Sequence, residues 1–236
     1  FAAGGYTVCI AGRRKERLDD LKNELEKTYG VQVVSLEFDI RKRDQVEAAV
    51  AQLKAQIPVI DILVNNAGLA SGFGAIDEGN IDDWELMIDT NLKGLLYMTR
   101  QVAPIMRAQA GGHIINIGST AGKQVYKNGN VYCATKFAVE ALNQAMRIDL
   151  LPYGIKVKDS NPGMAETEFS LVRYKGDVKK AQALYADTQP LVAADIAEIL
   201  VWVASRPPHV NIDEMVVKPV DQVESGKVFR RMKKLK

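Results

Sequence analysis

Apolar positions along the chain recur with two alternating periods. Short runs rich in β-branched residues, at positions 7–11, 31–39, 60–64, 113–118, 155–161 and 214–217, predict strands. Between them the spacing is helical. In 14–29, Leu18, Leu21 and Leu25 share one face, and 44–56 repeats the pattern with Val46, Val50 and Leu53. Residues 82–109 read as two helices in succession, because Thr90-Asn91 offers a capping signal for the second; 131–151 and 194–205 complete the set. Strands this short and this apolar suit a sheet whose two faces are both covered by helices. Strand–helix alternation implies right-handed crossovers and one parallel, doubly wound α/β sheet. Ligands of such sheets sit at the carboxyl ends of the strands. Chemistry is therefore expected near Gly12, Asp39, Asn65, Gly118 and Asn161.

Composition narrows the classes. The 236 residues, 47% hydrophobic and 25% charged, suit one globular α/β domain, read as 1–223 with a basic tail at 224–236. No apolar run reaches membrane-spanning length and no secretory signal is evident, so a cytoplasmic protein is expected. Cys9 and Cys133 are too few for a disulfide framework and lack metal-ligand spacing. Net charge is +2, yet the tail holds six cations against one carboxylate, which leaves the body mildly acidic and argues against a nucleic-acid surface. The tail itself reads as solvated or as packing on another subunit. At the other end, Phe1-Ala2-Ala3-Gly4-Gly5 reads as a helix end with a glycine stop, so a preceding strand and Gly-rich turn are expected in the intact protein.

Candidate chemistry concentrates on Tyr132 and Lys136. Residues four apart on a helix lie one turn apart on one face, so a phenol and an ammonium can share a small volume. A neighbouring cation favours the phenolate and is expected to lower the phenol's pKa, making it a proton donor to a carbonyl or an acceptor from an alcohol. Ser119 ends a strand, and Gly122 and Asn128-Gly129-Asn130 can turn its hydroxyl back over the helix start, either to stabilise a substrate oxygen or simply to satisfy a turn. Asn91 is either an N-cap or a holder of a proton-relay water. On the cofactor side, Arg13 and Arg14 follow the second expected strand of a dinucleotide fold, where Arg accommodates a 2′-phosphate and a carboxylate would bind the ribose diol. NADP is thereby favoured over NAD, the alternative being ordinary solubilising arginines.

Asn65-Asn66-Ala67-Gly68, Asn91-x-x-Gly94, Ser119, Tyr132-x-x-x-Lys136 and Asn161-Pro162-Gly163 occur in the order seen in the short-chain dehydrogenase/reductase family, which the chain resembles from residue 1 to about Val220. The resemblance implies a Rossmann-like fold and a tetrad of Asn91, Ser119, Tyr132 and Lys136. It implies that Asp39 meets the adenine amino group and that Asn65, Ala67 and Gly68 bring backbone close to the adenosine. Pro162, Gly163 and Thr167 would touch the nicotinamide end, and Lys136 the nicotinamide ribose. The family's Gly-rich loop has no counterpart in these residues. A homo-oligomer, typically a tetramer packing on long helices, is implied as well.

Substrate recognition is expected in the stretch 164–177, long and irregular for a strand-to-helix connection and therefore lid-like. Its Arg173 and Lys175 can bind a substrate carboxylate, or else pair with Glu166, Glu168 or Asp177 at the surface. This stretch, with Pro208-His209-Val210-Asn211-Ile212, resembles NADP-dependent 3-hydroxy acid dehydrogenases acting on serine and allo-threonine. The implied activity is hydride transfer between NADP and C3 of a short 3-hydroxy acid. The alternatives are a 3-oxoacyl thioester or general carbonyl reductase, and a non-catalytic nucleotide-binding protein. His113 and His209 have no metal-ligand partner at useful spacing, Cys133 is read as a packing residue, and Trp84 and Trp202 fit helix faces.

Overall fold

The computed structural model describes residues 1–230, and strands and helices alternate through most of it. β1 (Val8–Gly12), α1 (Lys15–Tyr29), β2 (Val33–Glu37), α2 (Arg43–Gln56) and β3 (Ile62–Asn65) come first. α3 (Ile81–Ile88), α4 (Leu95–Ala108), β4 (Gly112–Ile117), α5 (Asn130–Leu150) and β5 (Ile155–Pro162) follow. Then come β6 (Ala165–Glu166), α6 (Glu168–Arg173), α7 (Val178–Tyr185), β7 (Leu191–Val192), α8 (Ala193–Ala204) and β8 (Glu214–Val217). The hairpin of β9 (Gln222–Glu224) and β10 (Lys227–Val228) is last.

β3, β4, β5 and β8 lie side by side, in that order and all parallel, while β1 pairs in parallel with β2. Among the described residues no ladder joins β1 to β3. Parallel pairing needs helical crossovers, and these supply the core: Val46 and Val50 of α2 pack with Leu95, Val102 and Met106 of α4, Val139 and Met146 of α5, and Leu63, Ile114, Ile155 and Val157 from the sheet. Each such side chain contributes roughly 1.5–3 kcal/mol relative to exposure. No described helix is long and apolar enough to cross a membrane.

Three local features differ from the sequence expectation or refine it. The stretch 82–109 does hold two helices in succession, but the second has no side-chain cap. α3 and α4 are joined through a π-helical turn, Asp89–Gly94, that carries Asn91 in its middle, so Asn91 is not an N-cap. The widened turn packs tightly on its neighbour: a Cβ at Gly94 would lie 2.9 Å from Ile40 Cγ1. Such turns commonly mark functional sites. The connection 164–177 is not irregular either. Thr167 Oγ1 accepts the Phe169 N–H (3.2 Å) to start α6, and Asp177 Oδ1 accepts the Lys180 N–H (3.1 Å) to start α7. With β6 paired to β7, these helices form a small lobe following β5.

Finally, the described part of the basic tail packs on the body. Ser225 Oγ donates to Thr120 O at 2.6 Å, and Arg230 Nη2 donates to Leu184 O at 3.3 Å. Residues 231–236, with most of the tail's cations, lie outside the described residues.

Candidate active site

Sequence order brings the four tetrad positions to one place. Ser119 leaves the end of β4, and Tyr132 and Lys136 occupy the first turns of α5. The loop between them returns because Gly122 lets it press on α5; a Cβ there would meet Lys136 O at 2.7 Å. The Ser119 hydroxyl bonds the Tyr132 phenol and accepts the Ala121 N–H at 3.1 Å. Lys136 Nζ donates to Ile117 O at 2.8 Å and stands 6.0 Å from the centre of the Tyr132 ring. Asn91 is buried and fully engaged: its Oδ1 accepts the Leu69 N–H (2.8 Å), and its Nδ2 donates to Leu69 O (2.8 Å) and Thr135 Oγ1 (3.1 Å). It therefore ties the loop after β3 to α5. Gly68 marks the meeting point, since a Cβ on it would lie 3.4 Å from both Asn91 Oδ1 and Lys136 Nζ.

The electrostatics differ from the sequence reading in sign. The Tyr132 phenol is pushed up to about 12, chiefly by burial, against the lowering effects of the Ser119 bond and the Arg173 charge. The lid adds to this burial, which Ala70, Met87 and Ala121 share. Phe169 meets the ring edge-on at 5.6 Å and the Arg173 guanidinium lies 5.1 Å from its centre, which keeps water away. Lys136 is held down at about 8 by burial, opposed by the negative charge of Asp159. A cation lowers a phenol's pKa only where desolvation of the phenolate does not outweigh it, and here it does.

Arg13 and Arg14 are exposed just beyond β1. The Arg14 guanidinium is already an anion site: Nη2 donates to Glu168 Oε2 at 2.9 Å while Arg17 Nη1 donates to Oε1 at 2.7 Å. That ion pair is solvent-exposed and therefore weak, so an incoming phosphate can replace the carboxylate. Asp39 is turned onto Arg41, whose Nε donates to both carboxylate oxygens at 2.9 Å; that bond, with help from Arg13, holds the carboxyl below its ordinary range. Asn65 is buried, donating to Thr99 Oγ1 (3.1 Å) and Asn116 Oδ1 (2.9 Å), whereas Ala67 and Gly68 expose backbone at the end of β3. Pro162 and Gly163 end β5. Gln222 reaches over Gly163 to accept the Met164 N–H at 2.7 Å, and a Cβ on Gly163 would collide with it. Thr167 caps α6 beside Glu168. This donor set, exposed guanidiniums at one end and side-chain-free backbone at the other, fits a dinucleotide with an additional phosphate.

On the substrate side, Arg173 and Lys175 pair with none of Glu166, Glu168 and Asp177. Lys175 Nζ lies 2.8 Å from Asp83 Oδ2. Arg173 sits among aromatic rings, those of Tyr132 at 5.1 Å, Tyr126 at 5.4 Å, Phe73 at 5.5 Å and Phe169 at 5.6 Å, and it donates to the Tyr126 hydroxyl. Its buried Nε has no partner among the described residues. Arg173, Lys175 and Tyr132 line one cavity of about 200 Å³ together with Phe73, Asp83 and Asn130. Sequence reasoning missed Phe73, Tyr126, Asp83, Arg17 and Glu168. Only Tyr126, placed within the loop that must fold back over α5, carried any signal.

A phenol, serine hydroxyl and buried ammonium gathered at the carboxyl end of a parallel sheet define an oxidoreductase of CH–OH groups, and the chain belongs to the short-chain dehydrogenase family, whose profile matches residues 1–176. Among curated relatives it is 48% identical over 227 residues to the NADP-dependent 3-hydroxy acid dehydrogenase YdfG of Salmonella typhi, covering 96% of this chain and 90% of that protein. It is 42% identical to the sulfoacetaldehyde reductase of Chromohalobacter salexigens, covering 96% and 89%. Among solved structures, the closed form of serine dehydrogenase complexed with NADP+ superposes with a TM-score of 0.87 at 45% identity, covering 98% of this chain and 92% of that one.

Proposed function

We propose that the protein moves a hydride between NADP and C3 of a short 3-hydroxy acid such as serine or allo-threonine. The observation carrying this reading is Arg173, a half-buried cation whose buried Nε has no partner among the described residues, beside the proton-donating phenol in one cavity. A guanidinium so placed fits a small substrate that brings its own anion. The relatives named 3-hydroxy acid dehydrogenase and serine dehydrogenase support the same reading. In it, Arg13 and Arg14 receive the 2′-phosphate, Asp39 faces the adenine, and Asn65, Ala67 and Gly68 pass along the adenosine. Pro162, Gly163 and Thr167 face the nicotinamide end. NADP, when bound, supplies or accepts the hydride. Tyr132 then exchanges a proton with the substrate oxygen, Ser119 hydrogen-bonds that oxygen as charge develops, and Lys136 stabilises the phenolate. Asn91 holds the loop that frames Lys136.

Replacing Arg173 by Ala is expected to raise KM for hydroxy acids roughly tenfold to a hundredfold, the worth of a charge-assisted bidentate contact, with much smaller change for neutral alcohols. Steady-state kinetics on serine and on a neutral alcohol test this; equal effects on both remove Arg173 from substrate recognition. A second reading is reduction of a short sulfonated aldehyde, favoured by the relatives named sulfoacetaldehyde reductase and by the fact that a caged guanidinium binds a sulfonate as readily as a carboxylate. The two are told apart by comparing kcat/KM for both substrate types.

A further inference from the structure

β5 carries polar groups where a doubly covered strand ordinarily carries aliphatic ones. Lys158, Asp159, Ser160 and Asn161 are all buried. Asp159 and Asn161 project to the same face, and their side chains are joined: Asn161 Nδ2 donates to Asp159 Oδ2 at 2.9 Å. The other end of the Asn161 amide reaches the active site, where Oδ1 accepts the Ser119 N–H at 2.8 Å. The ladder between β4 and β5 has just ended, with Gly118 N–H donating to Ser160 O at 2.8 Å. The next amide, that of Ser119, has the Asn161 side chain in place of a backbone partner. Gly118 makes room for this, because a Cβ there would stand 2.1 Å from Asn161 Oδ1 and 2.6 Å from Asp159 Oδ1.

We propose that Asp159 is a positioning residue that fixes the orientation of the Asn161 amide and through it the place of the Ser119 hydroxyl beside Tyr132. A primary amide presents a donor at one end and an acceptor at the other, and sterically it fits either way round. A carboxylate oxygen only accepts, so Asp159 commits the amide nitrogen to itself and leaves the amide oxygen for Ser119. Without that commitment the amide can turn its nitrogen toward the Ser119 N–H, two donors face each other in a dry site, and the serine shifts. The inference rests on the hydride-transfer reading above. The charged groups around Asp159 are Lys123, Glu140 and Glu214, joined to one another by ion pairs, and Lys136 on the side of the active site.

The test uses the full-length protein with NADP and the best of the hydroxy-acid or sulfonate substrates. Asp159→Leu is expected to lower kcat roughly tenfold to a hundredfold, with the Kd for NADP within about twofold of the parent and faster hydrogen exchange at the Ser119 amide. Asp159→Asn can present either its oxygen or its nitrogen to Asn161, so it is expected to recover only part of kcat. In Asn161→Asp two carboxylates face each other and share a proton. This variant should gain a second alkaline fall in activity, separate from the Lys136 limb expected of the parent, as the shared proton is lost. Unchanged kcat in folded Asp159→Leu, or a pH profile of Asn161→Asp superimposing on the parent's, overturns the proposal. Should Asp159→Leu fail to fold, Asn161→Asp alone decides. An inactive parent on every such substrate would instead sink the hydride-transfer reading, while Ser119 exchange still reports on the brace.

Discussion

Tyr132→Phe is expected to cut turnover by at least ~10²–10⁴-fold, the contribution of a positioned proton donor, while leaving NADP affinity within about twofold. The substitution deletes one oxygen. The ring keeps its edge-on contact with Phe169 and its place beside Arg173, and Ser119 Oγ keeps the Ala121 N–H. Binding of cofactor by titration and single-turnover reduction of a carbonyl substrate separate the two effects. Turnover within about tenfold of the parent would mean that another group moves the proton. The same site predicts a pH limb. Carbonyl reduction needs a protonated phenol, which persists to about 12, and a charged Lys136, which persists only to about 8. The reductive rate should therefore fall as pH rises through about 8, and a rate flat to pH 10 would show that the ammonium is not needed.

How much of this was legible depended on whether a signal was local. Hydrophobic spacing located α1, α2, α5 and α8 and every strand of the main sheet within a few residues, because an amphipathic helix over a sheet must repeat its buried face. Ser119, Tyr132 and Lys136 were legible because they sit at a strand end and in the first turns of a helix, which Gly and Asn mark. The π-turn at Asp89–Gly94 was not, since one extra residue in a turn leaves the apolar spacing nearly intact and Thr90-Asn91 mimics a cap. The short helices of the lid were obscured because α6 is only six residues long and two of its three apolar residues, Leu171 and Val172, are exposed, which leaves no buried face to repeat. The aromatic surroundings of Arg173 come from four separate segments, and nothing in the order of a chain announces such a meeting. The sign of the Tyr132 shift was hidden for the same reason: the cation is visible in the spacing, while the burial that outweighs it comes from Ala70, Met87, Ala121 and Phe169, spread along the chain.

Lys158 is a buried group that strand alternation alone would place in solvent, and its removal should stabilise the fold. In Ile155-Lys156-Val157-Lys158 the lysines look like the solvent-facing half of a strand. A doubly wound sheet has no solvent-facing half, and Lys158 is fully buried with no partner for Nζ among the described residues. Burial, with Lys156 alongside, depresses its ammonium to about 8, against the opposing pull of Asp213. Keeping that charge inside the fold at neutral pH costs on the order of 2–3 kcal/mol relative to the unfolded chain. Methionine has a similar length and a flexible apolar stem, so Lys158→Met is expected to recover most of this. At roughly 2–4 °C per kcal/mol for a domain of this size, Tm should rise by about 5–10 °C at pH 7. The pH dependence supplies the sharper check. A lysine whose folded pKa is depressed binds fewer protons folded than unfolded between about 8 and its ordinary value near 10.5, so the parent gains stability as pH rises through that window. The variant lacks that gain, and the two stabilities should converge toward pH 10.5 while differing by a constant amount below pH 8. Chemical denaturation at a series of pH values measures this; a difference independent of pH would assign the effect of Lys158 to shape alone.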